Sequence, residues 1–120
     1  MAVAVFLSSA TTAQTLPKGD AAAGAALFED RCAMCHVAAA GGGQGPSLVG
    51  VVGRKAGTAA GFHYTAALKG WGRVWTAAEL DRFLTGPAKD VPGTAMAVAI
   101  HDPRQRADLI AFLAAKGARR

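Results

Sequence analysis

The motif Cys32-Ala33-Met34-Cys35-His36 constrains the rest of this chain more than any other feature of the sequence. C-x-x-C-H is the attachment signature of a c-type haem. Each cysteine can form a thioether bond to a vinyl group of the same porphyrin, and the adjacent histidine is then held as an axial ligand of the iron. His36 would use one ring nitrogen for the iron and donate the other N–H to a hydrogen-bond acceptor, which fixes its tautomer. The motif therefore predicts one covalently bound haem c with its iron.

Other interpretations of the two cysteines account for fewer of these residues. A structural zinc site needs four nitrogen or sulfur ligands, and outside the motif the chain offers only His63 and His101. A thioredoxin-like dithiol needs a βαβ context, and no alternating strand pattern is present. A simple disulfide stays open as an alternative, but it leaves His36 without a role.

Length, composition and charge agree with a small cofactor-binding domain. At 120 residues the chain forms one domain, and a buried porphyrin would supply a large part of its core. Fifteen glycines, many alanines and only 7% aromatic residues suit a chain wrapped closely around a flat cofactor. The net charge of +5 favours acidic partners. The basic residues are dispersed rather than clustered, which argues against a nucleic-acid partner.

Residues 1–15 carry no charge and have the features of a secretory signal. Residues 2–7 form a short apolar stretch, and small residues around Ala10 and Ala13 resemble cleavage sites. The stretch is too short to span a bilayer, so we expect no stable membrane insertion. We expect a signal-peptide remnant or a disordered segment over 1–15 and the functional domain over 16–120; an N-terminal coil or short helix is the alternative. Thioether attachment generally accompanies an oxidising compartment, so export to the periplasm, or to an intermembrane-space equivalent, is expected.

Helices account for most of the predicted secondary structure, and no strand is clearly indicated. Asp20 and Thr76 are good N-caps, the latter within a capping box, and Asp102 precedes a proline suited to a first helical turn. Gly24 lies inside the first helix and indicates close approach of another helix. Residues 91–96 should form a constrained loop. The predicted helices run from Ala21 to about Met34, from Tyr64 to about Lys69, from Thr76 to Gly86, and from Arg104 to about Lys116.

The ligand opposite the histidine would decide between electron transfer, ligand binding and catalysis. Met1 lies outside the domain, and Met34 lies too close to the proximal histidine to reach the opposite face. The third methionine, Met96, lies in a loop stiffened by a proline and a glycine. Its soft thioether would favour Fe(II) and raise the redox potential. His63 and His101 are rival ligands, of which His101 is the more credible.

At this point the chain closely resembles the class I c-type cytochromes, the group of mitochondrial cytochrome c and bacterial cytochrome c2. The resemblance extends from about Gly19 to Lys116. It implies an all-α fold in which crossed N- and C-terminal helices and several short helices surround one covalently bound haem. Besides the haem motif, it is carried by Gly24, Phe28, Gly45-Pro46, Leu48, Gly53-Arg54-Lys55, Gly61-Phe62-x-Tyr64-Thr65, Trp75, Pro87, Pro92-Gly93-Thr94-x-Met96 and Asp108-Leu109-Ile110.

The resemblance also implies roles for individual residues of the site. The Pro46 carbonyl would accept the N–H of His36. Two buried haem propionates would need hydrogen-bond donors and a compensating charge. Without the resemblance, core packing of Tyr64 and Trp75 and simple exposure of Arg54 would be the better explanations of these side chains. The residues implied to bind the propionates are Arg54, Tyr64, Thr65 and Trp75.

Several positions depart from the family pattern. Phe83 stands where a tyrosine usually bonds the methionine sulfur, and Leu68 replaces an asparagine of the internal water network. We therefore expect a more apolar methionine side and a potential that differs from those of relatives. Lysines usual for docking are replaced at Ala26, Ala88 and Ala95, while positive charge persists at Arg31, Lys55, Lys89 and Arg104.

The sequence thus predicts a soluble, exported, monomeric one-electron carrier with His36 and Met96 as axial ligands and no enzymatic activity. Expected partners have acidic docking faces: a bc1-type complex, a terminal oxidase, a photosynthetic reaction centre or a periplasmic dehydrogenase. One alternative is a haem enzyme or ligand sensor in which Met96 is labile, so that peroxide, CO or NO reaches the iron. Another is an electron-transfer subunit of a larger oxidoreductase.

Overall fold

A computed structural model of the chain describes residues 2–6, 18–36 and 44–117. Over these ranges the secondary structure is helical, and the only β pairing is an isolated bridge between Lys55 and Val74. This confirms the predicted all-α fold class. None of the described helices is both long enough and apolar enough to cross a membrane. The helices are α1 (Ala21–Arg31), α2 (Ala66–Lys69), α3 (Ala77–Thr85), α4 (Pro87–Asp90) and α5 (Pro103–Gly117).

The three longer helices begin at the predicted capping residues. Asp20, Thr76 and Asp102 each accept a hydrogen bond from a backbone N–H two or three residues further along, at 2.8 to 3.4 Å. These bonds satisfy donors that have no partner within the helix itself. Pro103 occupies the first position of α5, where its missing N–H costs nothing. The predicted starts of α1, α3 and α5 are confirmed.

The end of α1 differs from the prediction, because the helix stops at Arg31 rather than near Met34. The backbone N–H groups of Cys32 and Ala33 both donate to the Phe28 carbonyl at 2.8 Å, which interrupts the regular ladder. Cys32 then leaves the helical conformation, with φ −124° and ψ −35°. The motif at residues 32–36 therefore forms a turn that follows the helix, whereas the sequence predicted that the motif begins within the last helical turn.

Two shorter helices also differ from expectation. Residue Thr65 caps α2 by accepting a hydrogen bond from the Leu68 N–H at 3.4 Å, so this helix starts at Ala66 and not at Tyr64. Helix α4 was not predicted: the Gly86-Pro87 pair ends α3 as expected, but Pro87 then becomes the first residue of a new single turn. A proline that stops one helix can begin the next, because its fixed φ suits the first helical position.

The packing of α1 against α5 organises the fold. Gly24 is buried, and a Cβ atom built there would lie 1.9 Å from the Asp108 carbonyl oxygen. The rings of Phe28 and Phe112 meet across the same interface, with centroids 5.2 Å apart. At the start of α1, the Asp20 N–H donates to the Asp108 carboxylate at 2.8 Å. The predicted close approach of another helix at Gly24 is confirmed.

The remaining core fills the space between α3, α5 and the long connection that precedes α3. Within that connection, the Gly53 N–H donates to the Trp75 carbonyl at 2.8 Å and the Trp75 N–H donates to the Arg54 carbonyl at 2.9 Å. These bonds hold the two parts of the connection together and bury the Trp75 indole. The core side chains are those of Phe28, Val51, Ala56, Trp75, Leu80, Phe83, Leu84, Val91, Ile100, Leu109, Ile110 and Leu113.

We expect Gly24→Ala to destabilise the protein by about 3 kcal/mol or more, since the added methyl group meets backbone that cannot rotate away. Chemical denaturation of the purified protein measures this loss. Gly86→Ala is the matched control, because the nearest atom to its Cβ would be the Lys89 Cβ at an ordinary 3.7 Å. Equal stability of the two variants would contradict the proposed backbone contact.

Candidate cofactor site

The imidazole of His36 has a defined orientation in the turn that follows α1. Its Nδ1 lies 2.9 Å from the Pro46 carbonyl oxygen. Because a carbonyl only accepts, Nδ1 carries the proton and Nε2 keeps its lone pair for a metal. The Gly45 N–H also donates to the Cys35 carbonyl at 2.8 Å, so the backbone holds both sides of this contact together. The structure thus brings His36 and Pro46 into the relation that the family resemblance implies.

Gly45 supports the histidine through its lack of a side chain. It is buried, and a Cβ atom built there would lie 2.3 to 2.8 Å from three atoms of the His36 ring. Only glycine lets the imidazole lie this close to the backbone and still reach the Pro46 carbonyl. The sequence indicated Gly45 as part of a loop closure but gave it no role in the site. No local pattern identifies which ring would pack on it.

The two cysteines of the motif are free thiols in the structure and are not joined to each other. Burial raises the pKa of the Cys32 thiol, and the charge of Arg31 offsets part of that effect. The Cys35 Sγ lies 3.6 Å from the Gln44 Oε1 and donates to it. In the described part of the chain, no three His, Cys, Asp or Glu side chains lie together in an arrangement that could hold a metal ion.

Arg54 and Trp75, two of the predicted propionate ligands, lie next to each other through their shared backbone hydrogen bond. The Arg54 guanidinium donates to the carbonyls of Val49 at 3.1 Å and Ser47 at 3.0 Å. Since a guanidinium has five N–H donors, these bonds leave further donors and the positive charge for an anionic group. The Trp75 side chain is buried and offers only a donor, its indole N–H.

Tyr64 and Thr65, the other two predicted propionate ligands, are neighbours at the start of α2. The Tyr64 hydroxyl accepts a hydrogen bond from the Ala59 N–H at 3.0 Å, and its own proton stays available for donation. The Thr65 hydroxyl likewise accepts a hydrogen bond, from the Leu68 N–H, and its own proton also stays available for donation. Among the described residues these two make no hydrogen bond or ring contact with Arg54 or Trp75.

Met96 is half-buried and packs against the hydrophobic core. Its backbone N–H lies 3.4 Å from the Thr94 hydroxyl, and the Thr94 N–H in turn donates to the Val91 carbonyl at 3.0 Å. The rival candidates differ in burial: the side chains of His63 and His101 are both exposed. Of these three residues, only Met96 has its side chain directed at apolar surroundings.

Taken together, the side chains of this region fit haem c by their chemistry. The region supplies two thiols for thioether bonds, an imidazole with a free Nε2, and a thioether sulfur. A guanidinium and two hydroxyl groups suit the carboxylates of a porphyrin, while half-buried apolar side chains suit its faces. These apolar residues are Leu48, Val52, Leu68, Met96 and Val98.

Comparison with known proteins gives a consistent picture. The family model described as cytochrome c matches residues 21–116. The chain is 48% identical over 100 residues to cytochrome c of Chlamydomonas reinhardtii, an alignment that covers 81% of this chain and 89% of that protein. It is 49% identical over 100 residues to cytochrome c of Ulva intestinalis, covering 81% and 90%. Among solved structures, cytochrome cH from Methylobacterium extorquens superposes with a TM-score of 0.77 at 45% identity, covering 81% of this chain and 99% of that one.

We expect Gly45→Ala to displace the His36 ring from the Pro46 carbonyl and to weaken the bond that the imidazole would make to a haem iron. The measurement is the ferric absorption spectrum of the protein produced with a c-haem maturation system, in which a high-spin fraction should appear. Gly86→Ala again serves as the control, since its methyl group meets no ring. A wholly low-spin Gly45→Ala protein would show that the ring does not depend on this glycine.

Proposed function

The chain belongs to the cytochrome c family, and on that premise we propose that it is a one-electron carrier in which His36 and Met96 are the axial ligands of a covalent haem c. The observation that carries the proposal is the state of the His36 ring. Its Nδ1 is engaged by the Pro46 carbonyl at 2.9 Å, so the nitrogen that remains is the one suited to iron. When bound, the haem supplies the Fe(III)/Fe(II) couple, and the protein supplies the ligands and surroundings that tune it.

The two proposed axial ligands have different chemical effects. The hydrogen bond from His36 to Pro46 fixes the tautomer and increases the basicity of the imidazole. The Met96 thioether is a soft ligand that favours Fe(II) and so raises the potential. Met96 is half-buried against apolar side chains, surroundings that would limit the access of competing water to the iron. These features suit a carrier that keeps the same ligands in both oxidation states.

We propose Cys32 and Cys35 as the thioether anchors and four side chains as the propionate ligands. Their chemistry is complementary: Arg54 brings charge, while the hydroxyl protons of Tyr64 and Thr65 remain available as donors. Buried carboxylates are stable only with such partners. The fourth ligand is the indole N–H of the buried Trp75.

The N-terminal segment supports export of the domain. In the part of this segment that the structure describes, Val3, Val5 and Phe6 are almost fully exposed. Apolar side chains that pack on nothing agree with a signal-peptide remnant over 1–15 that stands apart from a domain over 16–120. We therefore propose a periplasmic location, or its intermembrane-space equivalent.

Redox proteins with acidic docking faces are the proposed partners. The net charge is +5, and the retained cations Arg31, Lys55, Lys89 and Arg104 are all exposed. Docking between such surfaces is weak, fast and sensitive to salt, which suits a monomeric carrier that must leave after each electron transfer. The proposed donors and acceptors are a bc1-type complex, a terminal oxidase, a photosynthetic reaction centre or a periplasmic dehydrogenase. The protein itself would catalyse no substrate reaction.

Visible spectra of the haem-loaded protein, with and without CO, test the proposal. We expect six-coordinate low-spin haem in both oxidation states, a ferric sulfur-to-iron charge-transfer band, and no CO binding. Met96→Ala should lose the charge-transfer band and bind CO. His101→Ala is the matched control for the rival ligand and should leave the spectra unchanged.

A high-spin spectrum or ready CO binding in the wild-type protein would mean that Met96 does not hold the iron. The haem enzyme or ligand-sensor alternative would then replace the carrier. Loss of low-spin character in His101→Ala, with Met96→Ala unchanged, would assign the sixth ligand to the histidine.

The surroundings of Phe83 generate a prediction for the redox potential. Phe83 is buried, and its ring contacts the Trp75 ring at a tilt of 59° with centroids 5.0 Å apart. As a phenylalanine it has no hydroxyl group to offer. In Phe83→Tyr a hydroxyl that donates to the methionine sulfur would withdraw electron density and favour Fe(II). One neutral hydrogen bond of about 1 kcal/mol corresponds to an increase of about 40 mV for one electron.

Equilibrium redox titration measures this shift. Phe112→Tyr is the matched control, because Phe112 packs against Phe28 in the α1–α5 interface. If the midpoint potential of Phe83→Tyr equals that of wild type, this position does not influence the potential through the methionine sulfur.

A further inference from the structure

Arg106, in the first half of α5, is a buried arginine whose role the sequence did not indicate. Only 8% of the residue is exposed, which is rare for arginine unless it is paired. Its Nε donates to the Asp81 carboxylate of α3 at 2.7 Å. One terminal nitrogen donates to the carbonyls of Ile100 at 2.9 Å and His101 at 3.0 Å. A single guanidinium thus joins α5, α3 and a stretch of loop.

That stretch, residues 97–102, connects Met96 to α5 and is here named the return segment. It is attached at further points: the Ile100 N–H donates to the Leu84 carbonyl at 2.7 Å, and Arg31 at the end of α1 donates to the Ala99 carbonyl at 3.4 Å. The Ile100 side chain is only 2% exposed. The return segment is therefore held by α1, α3 and α5, although it has no regular secondary structure of its own.

Met96 lies between this attachment and a second one. On its N-terminal side, the Thr94 N–H binds the Val91 carbonyl, and Val91 is also only 2% exposed. On its C-terminal side, the first buried side chain is that of Ile100. The sulfur of Met96 is thus carried on a short loop whose two ends are both buried. Movement of that loop away from the domain would require release of one end.

The Arg106 contacts are the strongest that hold the C-terminal end. Hydrogen bonds from a charged donor are about twice as strong as neutral ones, and a buried guanidinium that loses its partners is left with an uncompensated charge. The planar shape of the guanidinium group also matters, because its Nε donates to Asp81 while one terminal nitrogen donates to two carbonyls. A lysine has one nitrogen and cannot make the same set of bonds.

We propose that Arg106 is a positioning residue for Met96: by tying the return segment to α3, it limits how often the Met96 sulfur leaves the iron. This inference rests on the proposed function, in which Met96 is an axial ligand. It assigns the strength of that ligation to a residue whose side-chain hydrogen bonds go to Asp81, Ile100 and His101. Asp81 has a part in the same positioning role, because its carboxylate accepts the hydrogen bond from the Arg106 Nε.

Competition with imidazole measures the effect directly. External imidazole can bind the ferric iron only when the methionine has left, so its apparent dissociation constant falls as the open fraction rises. We expect Arg106→Gln to bind imidazole about tenfold more tightly than wild type, and Arg106→Lys to lie between the two. Arg104→Gln is the matched control, since this arginine lies on the same helix, its side chain is 67% exposed, and among the described residues that side chain pairs with Asp108 of α5 and not with the return segment. It should bind imidazole as wild type does.

A purely structural role would act through global stability, and a second control separates this possibility. Leu113→Ala should destabilise the protein through a cavity beside α5, while it leaves the hydrogen bonds of Arg106 to Asp81 and to the return segment in place. At equal free energy of unfolding, we expect Arg106→Lys but not Leu113→Ala to bind imidazole more tightly. Equal tightening in both would overturn the positioning role, and Arg106→Lys keeps the test valid if Arg106→Gln does not fold.

The outcomes also separate this inference from the proposed function. If wild type shows the sulfur-to-iron band and both Arg106 variants bind imidazole as wild type does, only the positioning role is overturned. If wild type lacks that band and binds imidazole as tightly as Met96→Ala, the proposed ligation is wrong and the positioning role falls with it.

Discussion

The close contact of α1 with α5 at Gly24 is the constraint on which the rest of this structure depends. With a hypothetical Cβ only 1.9 Å from a backbone oxygen, the two helices approach as nearly as main chains allow. That contact fixes the position of α1, and therefore the place from which the turn that carries both cysteines and His36 leaves the core. The same contact fixes α5, whose Arg106 holds the segment after Met96. One interface between two helices thus supports both proposed axial ligands.

The two sides of the site are stabilised by different means. On the histidine side the geometry is local: Gly45 and Pro46 lie about ten residues from His36 and meet its ring through backbone alone. On the methionine side the geometry is long-range, because the loop of Met96 has no regular structure and depends on α3 and α5 to hold it. We therefore expect the histidine to stay in place under conditions that release the methionine. In the proposed carrier, the ligand that is held less firmly would be the Met96 thioether, which is also the ligand that would raise the potential.

The sequence predicted those features whose physical cause is local. The caps at Asp20, Thr76 and Asp102 act within a few residues of themselves, and all three begin helices as expected. The features that the sequence did not indicate require knowledge of distant contacts. The end of α1 at Arg31 depends on a shared carbonyl, the role of Gly45 depends on a ring that folds over it, and Arg106 acts on carbonyls whose position no pattern reveals. The family resemblance supplied residue identities for the site but none of these mechanisms.

Met96 packs among apolar side chains, and the polar contacts proposed to hold its loop lie elsewhere, between α3, α5 and the return segment. Phe83 and Leu68 carry no polar group that could hold the proposed Met96 ligand by a hydrogen bond. The polar contacts proposed to restrain Met96 are instead those between Arg106 and Asp81 and between Arg106 and the return segment. Such an arrangement would separate two tasks that a single polar network around the ligand would combine. In the proposed carrier, the side chains around Met96 would determine the electronic properties of the couple, and the Arg106 contacts would determine how long the sixth ligand stays bound.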